Sequence, residues 1–115
     1  MKIKVFDIVN MLMEEMAEKD VKYTNFSESK MITLRNACER LDVAAEQLEA
    51  TSVSADYDPD TDTFIIAMFS SDVFTSFRES PEFFDLFDDA LSFHVEWENE
   101  DSICCMFTYE APWDI

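Results

Sequence analysis

The stretch SVSADYDPDTDTFIIAMFS, residues 52–70, decides the fold of this chain. Apolar and polar side chains alternate over 53–58, which is the pattern of a half-exposed β-strand. Turn-forming residues occupy 58–62, and 63–70 is then apolar on both parities. A strand that is apolar on both sides is typical of a central strand covered on both faces. The stretch therefore predicts a β-hairpin whose second strand lies inside a sheet.

A second hairpin is predicted nearer the C-terminus. Residues 91–98 alternate apolar and polar side chains, so one face of this strand is wet. The apolar row consists of Leu91, Phe93, Val95 and Trp97. Residues 99–101 make the turn, and 102–109 return as the partner strand.

Two helices precede the first hairpin. Residues 5–20 have the three-to-four spacing of an amphipathic helix, with apolar side chains at Val5, Val9, Leu12 and Met16. A second helix starts after Ser27 or Ser29, either of which can cap it. Its buried stripe is predicted to be Met31, Leu34, Cys38, Leu41, Ala45 and Leu48. The connection between the helices is short, so we expect them to pair.

A broken helix is predicted between the two hairpins. Ser71 can cap a short helix that carries Val73, Phe74 and Phe77. Residues 80–82 then have the serine cap, the proline and the early acid of a new helical start. The helix that begins there presents Phe83, Phe84, Leu86, Phe87 and Leu91.

The predicted fold class is α+β: a four-stranded, mainly antiparallel sheet with packed helices. The 115 residues suit a single domain, with the helical pair in 1–50 and the sheet and its inserted helix in 51–110. Residues 111–115 form a tail containing Trp113 and Ile115, which either folds back on the core or binds a partner.

Composition excludes several classes of function. The chain has no glycine, so it lacks a P-loop, a dinucleotide fingerprint, a G-x-S-x-G elbow and a standard EF-hand. A net charge of -18 argues against direct binding to nucleic acid or to an anionic membrane. No signal peptide or membrane span is expected, and the three cysteines suit reduced thiols, so we expect a cytoplasmic protein.

The charge is regional. Residues 1–40 contain seven bases and seven acids, whereas 41–115 contain nineteen acids and only Arg78 as a base. Most of the acids of the second part, together with Glu39, form four local sets. The two sets on predicted helices are Glu39, Asp42, Glu46 and Glu49, and Glu82, Asp85, Asp88 and Asp89. The two sets on predicted hairpins are Asp56, Asp58, Asp60 and Asp62, and Glu96, Glu98, Glu100 and Asp101.

The leading interpretation is a small, non-enzymatic protein that binds a basic protein, such as a nuclease, at its nucleic-acid site. Carboxylates three or four residues apart on a helix are separated by about 4.5 to 6 Å of rise. That spacing is of the same order as the roughly 3.4 Å between charges on one DNA strand. Small acidic inhibitors made by phages or mobile elements against host defences offer an analogy. The predicted contact residues are Asp42, Glu46, Glu49, Asp85, Asp88 and Asp89.

Other interpretations stay open. The main alternative is a regulatory or scaffold subunit that binds its partner through apolar surface, either the outer faces of the helical pair or Trp113, with charge serving solubility. Adaptation to high salt is a third, although the neutral first 40 residues argue against it.

The remaining candidate sites are weak. A calcium site at 56–62 lacks the glycine and the last acid of an EF-hand, and the single histidine, His94, comes with no catalytic signature. Neighbouring Cys104 and Cys105 point to opposite faces, so one thiol is expected to be reachable. We therefore predict no catalytic residue, no metal and no cofactor.

Overall fold

The computed structural model describes residues 4–18, 26–71, 82–99 and 102–113. Its elements are α1 (Val5–Glu18), α2 (Glu28–Gln47), β1 (Ser52–Asp58), β2 (Thr63–Ser71), α3 (Glu82–Asp85), β3 (Ser92–Asn99) and β4 (Ser102–Glu110). The predicted α+β fold is confirmed, since the helices pack on a four-stranded antiparallel sheet.

The sheet joins the two hairpins through their second strands. Its strand order is β1-β2-β4-β3, and every pairing is antiparallel. The most apolar strands, β2 and β4, are therefore the central ones. The sequence predicts this position for β2. The register places Ile66 between Ala55 and Phe107, and Phe107 beside Phe93, in one row that faces the helices.

The hydrophobic core lies between that sheet face and the two long helices. The sheet contributes Phe64, Ile66, Met68, Ile103, Cys105, Phe107 and Tyr109, all nearly or fully buried. From α1 come Val5, Val9 and Met16, with Leu12 half-buried, so the predicted helical face is confirmed. Most of the stripe predicted for α2 is buried too, although Met31 is only half-buried. Ala37 and Ala44, which the prediction omitted, widen that buried face.

The two faces of β2 are buried to different degrees. Phe64, Ile66 and Met68 are fully buried beneath the helices, but the opposite row is only half-buried. That row consists of Ile65, Ala67 and Phe69. Helices α1 and α2 both pack on the face of Phe64, Ile66 and Met68.

The two ends of α2 are capped by different hydrogen-bonding interactions. Ser27 is the N-cap, because its hydroxyl accepts the N–H of Lys30 at 3.4 Å. At the other end Ala50 N–H donates to Ala45 O and Glu49 N–H donates to Glu46 O, which is a Schellman motif. Its left-handed position is filled by Glu49, with φ 51°. In a chain without glycine, another residue must adopt that conformation.

The helix predicted to begin near Pro81 is much shorter than expected. Only Glu82–Asp85 is helical, and a turn follows. Phe87 packs its ring against Phe93 and Phe107, with centroid distances of 4.5 and 4.9 Å. Leu91 N–H already donates to Thr108 O at 2.7 Å, which starts the pairing with β4. These strand contacts replace a second helical turn, so Phe84 and Leu91 are 45% and 62% exposed.

Two further expectations concern the ends of elements. Trp97 belongs to the predicted apolar row of β3 but is 60% exposed. It lies where the pairing of this edge strand with β4 becomes irregular.

The short helix predicted after Ser71 lies outside the described residues. None of the helices within the described ranges is long and apolar enough to cross a lipid bilayer.

Candidate acidic interaction surface

The six predicted contact residues divide into two groups. Glu46, Glu49, Asp85 and Asp88 are exposed to solvent. Asp42 is half-buried and Asp89 is exposed, and both are engaged with other parts of the chain. We use the name acidic surface for the four exposed residues of the first group.

Asp42 caps a neighbouring helix. Its Oδ1 accepts the backbone N–H of Val5, the first residue of α1, at 2.7 Å. The residue before it, Lys4, has no side-chain oxygen with which to cap α1 itself. Asp42 therefore satisfies one of the free N–H groups at that helix end, and its negative charge lies at the favourable end of the α1 dipole.

Asp89 forms an ion pair with Arg40. Oδ2 of the carboxylate meets Nη2 of the guanidinium, and both side chains are about one third exposed. The pair ties α2 to the turn that precedes β3. Asp89 is one of the nineteen acids after Arg40, and its charge is neutralised by a base from residues 1–40.

The two halves of the acidic surface lie on opposite flanks of α2. Arg40 points to the side of Asp89, whereas Asp42 points to α1. These two positions are separated by about 200° around the helix axis. Glu46 lies about 40° from Asp42 around the axis and shares its flank, whereas Glu49 follows the end of α2 in the left-handed position.

The acids of the first hairpin stabilise its turn. Asp58 Oδ1 accepts the N–H of Asp60 at 2.9 Å, and Asp62 has a left-handed backbone with φ 55°. Asp62 Oδ1 also accepts from Tyr57 Oη at 2.6 Å and from Trp113 Nε1 at 2.8 Å.

Within the described residues, no three histidine, cysteine or acidic side chains are grouped as metal ligands.

On the second hairpin, the wet face of β3 is exposed as predicted. His94 Nε2 lies 3.1 Å from Glu96 Oε1, and both side chains are more than half exposed. Glu98 is also exposed, while Glu100 and Asp101 lie outside the described residues.

Trp113 folds back on the core. Its side chain is only 4% exposed, and its ring meets Phe64 edge-on with a centroid distance of 5.4 Å. Phe26 packs on the other side, and the two residues form an isolated β-bridge. Of the two alternatives for the tail, Trp113 therefore follows the first, folding back on the core, and Ile115 lies outside the described residues.

The cysteines are buried in reduced form. Cys104 and Cys105 do point to opposite faces, but they are 3% and 0% exposed, so the expectation of one reachable thiol is wrong. Burial raises the pKa of both thiols, with Glu98 and Glu96 contributing for Cys104. A thiol that resists ionisation is a poor nucleophile.

Sequence reasoning missed the residues that organise these contacts. Asp42, Asp62 and Asp89 act on partners 37, 51 and 49 positions away in the chain. No local spacing signals such contacts. Comparison with known proteins gave no match to a family model, to a curated protein or to a solved structure.

Proposed function

We propose that this protein binds a basic protein through its acidic surface and occupies the site where that partner binds nucleic acid. The observation that carries the proposal is the regional charge: the whole net charge of -18 arises after residue 40. Because like charges this close repel one another, the arrangement costs folding free energy and gives attraction for a basic partner in return.

The exposed acids form two groups that can be tested separately. Glu46 and Glu49 lie at the C-terminal end of α2, and Asp85 and Asp88 lie in α3 and the turn after it. Exposed charges of this kind act mainly on the rate of association and on its dependence on salt. Asp42 and Asp89 contribute to the local potential, but their hydrogen-bonding oxygens already have partners.

Two double variants test which flank binds. Glu46→Lys with Glu49→Lys reverses one flank, and Asp85→Lys with Asp88→Lys reverses the other. The control, Glu14→Lys with Glu15→Lys, changes net charge equally on α1, in the neutral part of the chain. Each protein is used to capture partners from nuclease-treated lysate at low and high salt.

We expect a basic, salt-released partner whose affinity falls roughly tenfold or more in one flank variant but not in the control. Equal losses in all three variants would mean that only overall charge matters. Retention of a non-basic partner at high salt would contradict the proposal.

A second candidate is supported by apolar side chains on the helices. Met11, Phe26, Ile32 and Val43 are 43% to 61% exposed. Phe26, Met31 and Ile32 line an open groove of about 390 Å³ at the start of α2. Under this alternative the protein is a scaffold or regulatory subunit, and the acids serve solubility. Ile32→Ser would then abolish binding. Trp113→Ala is unsuitable for this purpose because Trp113 is buried.

A further inference from the structure

The sheet has a second face, on which no helix packs within the described residues. Helices α1 and α2 and the turn around Phe87 pack on the face that holds Ile66 and Phe107. The middle of the opposite face is formed by six side chains from the two central strands. We use the name outer face for these residues, which are Ile65, Ala67 and Phe69 on β2 and Cys104, Met106 and Thr108 on β4.

The outer face is a mainly apolar surface without an apolar partner in the core. The strand register sets Phe69 beside Cys104, and Ala67 beside Met106. Cys104 is buried, whereas the other five residues are half-buried. None of the six belongs to the hydrophobic core or packs against it. Their apolar side chains therefore offer a surface that another chain can cover.

Carboxylates border the outer face on both sides. On β1, Asp56 is the register partner of Ile65, and on β3, Glu96 is the register partner of Cys104. Burial raises the pKa of the Cys104 thiol, and Glu98 and Glu96 add to this effect, so both carboxylates lie near this end of the face. All three acids are exposed. The other bordering positions hold Ser52, Ser54, Ser92 and His94.

The contacts of the bordering acids leave their side of the sheet negative. Asp56 Oδ1 accepts the backbone N–H of Tyr57 at 2.9 Å. Glu96 Oε1 lies 3.1 Å from Nε2 of His94, and both side chains are more than half exposed. Among the described residues, neither carboxylate is paired with a lysine or an arginine. A segment that covers this face must therefore bring apolar side chains for its middle and positive charge for both borders.

We infer that the outer face binds an amphipathic helix of a basic protein, with an apolar stripe over β2 and β4 and cationic side chains on both flanks. Neighbouring strands are about 4.8 Å apart, so β1 and β3 are separated by roughly 14 Å. A helix is about 10 Å wide, so its stripe can cover the central strands while its flanks reach Asp56 and Glu96. A second copy of this chain suits the face less well, because pairing face to face would bring the bordering acids of two strongly negative molecules together.

The probe is a peptide of about fourteen residues with leucine at three-to-four spacing and lysine elsewhere, roughly 21 Å long as a helix. Its control has the same leucines and lysines in an order that forms no apolar face. Fluorescence anisotropy measures the affinity of each labelled peptide for the full-length protein. The helical peptide is expected to bind one to one and at least about tenfold more tightly than its control, because only it can cover the apolar rows. Equal affinities would overturn the inference.

A pair of apolar-to-polar variants locates the contact. Met106→Gln places an amide in the middle of the outer face, and Val43→Gln does the same on α2, where Val43 is 43% exposed. We expect Met106→Gln to weaken binding of the helical peptide by roughly tenfold, as when a central interface contact is lost, and Val43→Gln to leave it unchanged. Equal effects of the two substitutions would contradict the inference.

A pair of charge variants tests the borders without altering the apolar rows. Asp56→Asn with Glu96→Gln removes one charge from each border, and the control, Glu46→Gln with Asp85→Asn, removes two from the acidic surface. The first is expected to weaken peptide binding by roughly threefold, the modest effect of losing exposed ion pairs, and to flatten its salt dependence. Equal weakening by the control would show that peptide binding follows net charge, against the inference.

The outer face and the acidic surface belong to opposite sides of the sheet, so this inference goes beyond the proposed function. If the two peptides bind alike while nucleic acid displaces the captured partner, the inference fails and the proposed function stands. If the helical peptide binds the outer face while nucleic acid leaves the captured partner in place, the reverse holds. Sedimentation of the protein alone tests the rival occupant, and a dimer that Met106→Gln dissociates would overturn the inference.

Discussion

At the scale of single residues, Trp113 shows how a tail becomes part of the core. Its indole N–H donates to Asp62, and its ring packs against Tyr57 and Phe64. We expect Trp113→Ala to lower the free energy of unfolding by about 3 to 5 kcal/mol. Trp97→Ala is the matched control, since that indole is 60% exposed and its loss should cost far less. Urea denaturation of both variants checks this, and equal losses would contradict the packing described.

Glu49 is a residue whose replacement should stabilise the protein. Its φ of 51° lies in the left-handed region, where glycine is favoured over any residue with a Cβ. Glu49→Gly is therefore expected to raise the free energy of unfolding by up to about 1 kcal/mol. Three positions earlier, Glu46→Gly lies within α2 and should lower it by about 0.5 to 1 kcal/mol. Thermal unfolding measures whether each variant is more or less stable than the wild type. If both variants change stability in the same direction, the assignment of the helix end to Glu49 is wrong.

The buried thiols predict how stability responds to alkaline pH. Burial, with Asp42 and Glu39 nearby, raises the pKa of Cys38 to about 12, and burial raises that of Cys105 to about 11. In the unfolded chain these thiols ionise with an ordinary pKa near 9.0. The protonated thiols therefore contribute fully to the free energy of unfolding below pH 9. This contribution is lost as the pH rises towards 11 and 12, because the unfolded state then binds fewer protons than the folded state.

Urea midpoints at pH 8, 9.5 and 10.5 should therefore fall steadily. The double variant Cys38→Ala with Cys105→Ala should have a lower urea midpoint at every pH. Its midpoint should fall less steeply with pH than that of the wild type. At pH 8, thiol reagents should modify the folded protein slowly and the urea-unfolded protein fast. Fast labelling of the folded protein would show that the thiols are reachable.

At the scale of elements, Asp42 makes the start of α1 depend on α2. Asp42→Ala leaves the N–H of Val5 without its acceptor, so we expect a loss of about 1 to 2 kcal/mol in the free energy of unfolding. Asp42→Asn keeps an oxygen acceptor and should lose less. Glu46→Ala, exposed on the same flank, is the control and should change stability little. Equal effects of Asp42→Ala and Glu46→Ala would argue against the cap.

Periodicity predicted most elements because their side chains face one large core. The alternation of β1 and β3 and the apolar runs of β2 and β4 gave both hairpins and placed β2 at the centre. Failures came where distant contacts decide the structure. Around Phe87 the residues have helical spacing, but packing against Phe93 and Phe107 turns the chain into a strand after one helical turn.

At the scale of the whole molecule, the charge could be read from the sequence but its arrangement could not. The sequence predicts which helical acids are regularly spaced, and five of the six chosen are exposed, with Asp89 among them held in an ion pair. It does not reveal that Asp42 caps α1, that Asp89 pairs with Arg40, or that the two halves lie on opposite flanks of α2. Each of these depends on how helices and turns meet, which residue spacing does not encode.

The measurement that tests the central claim most directly is competition on the captured partner. The partner is saturated with this protein at fixed salt, and duplex DNA or single-stranded RNA is then added in excess. The proposed function predicts full displacement, with an apparent affinity that falls steeply as salt increases. A complex in which the partner holds both this protein and nucleic acid would contradict it.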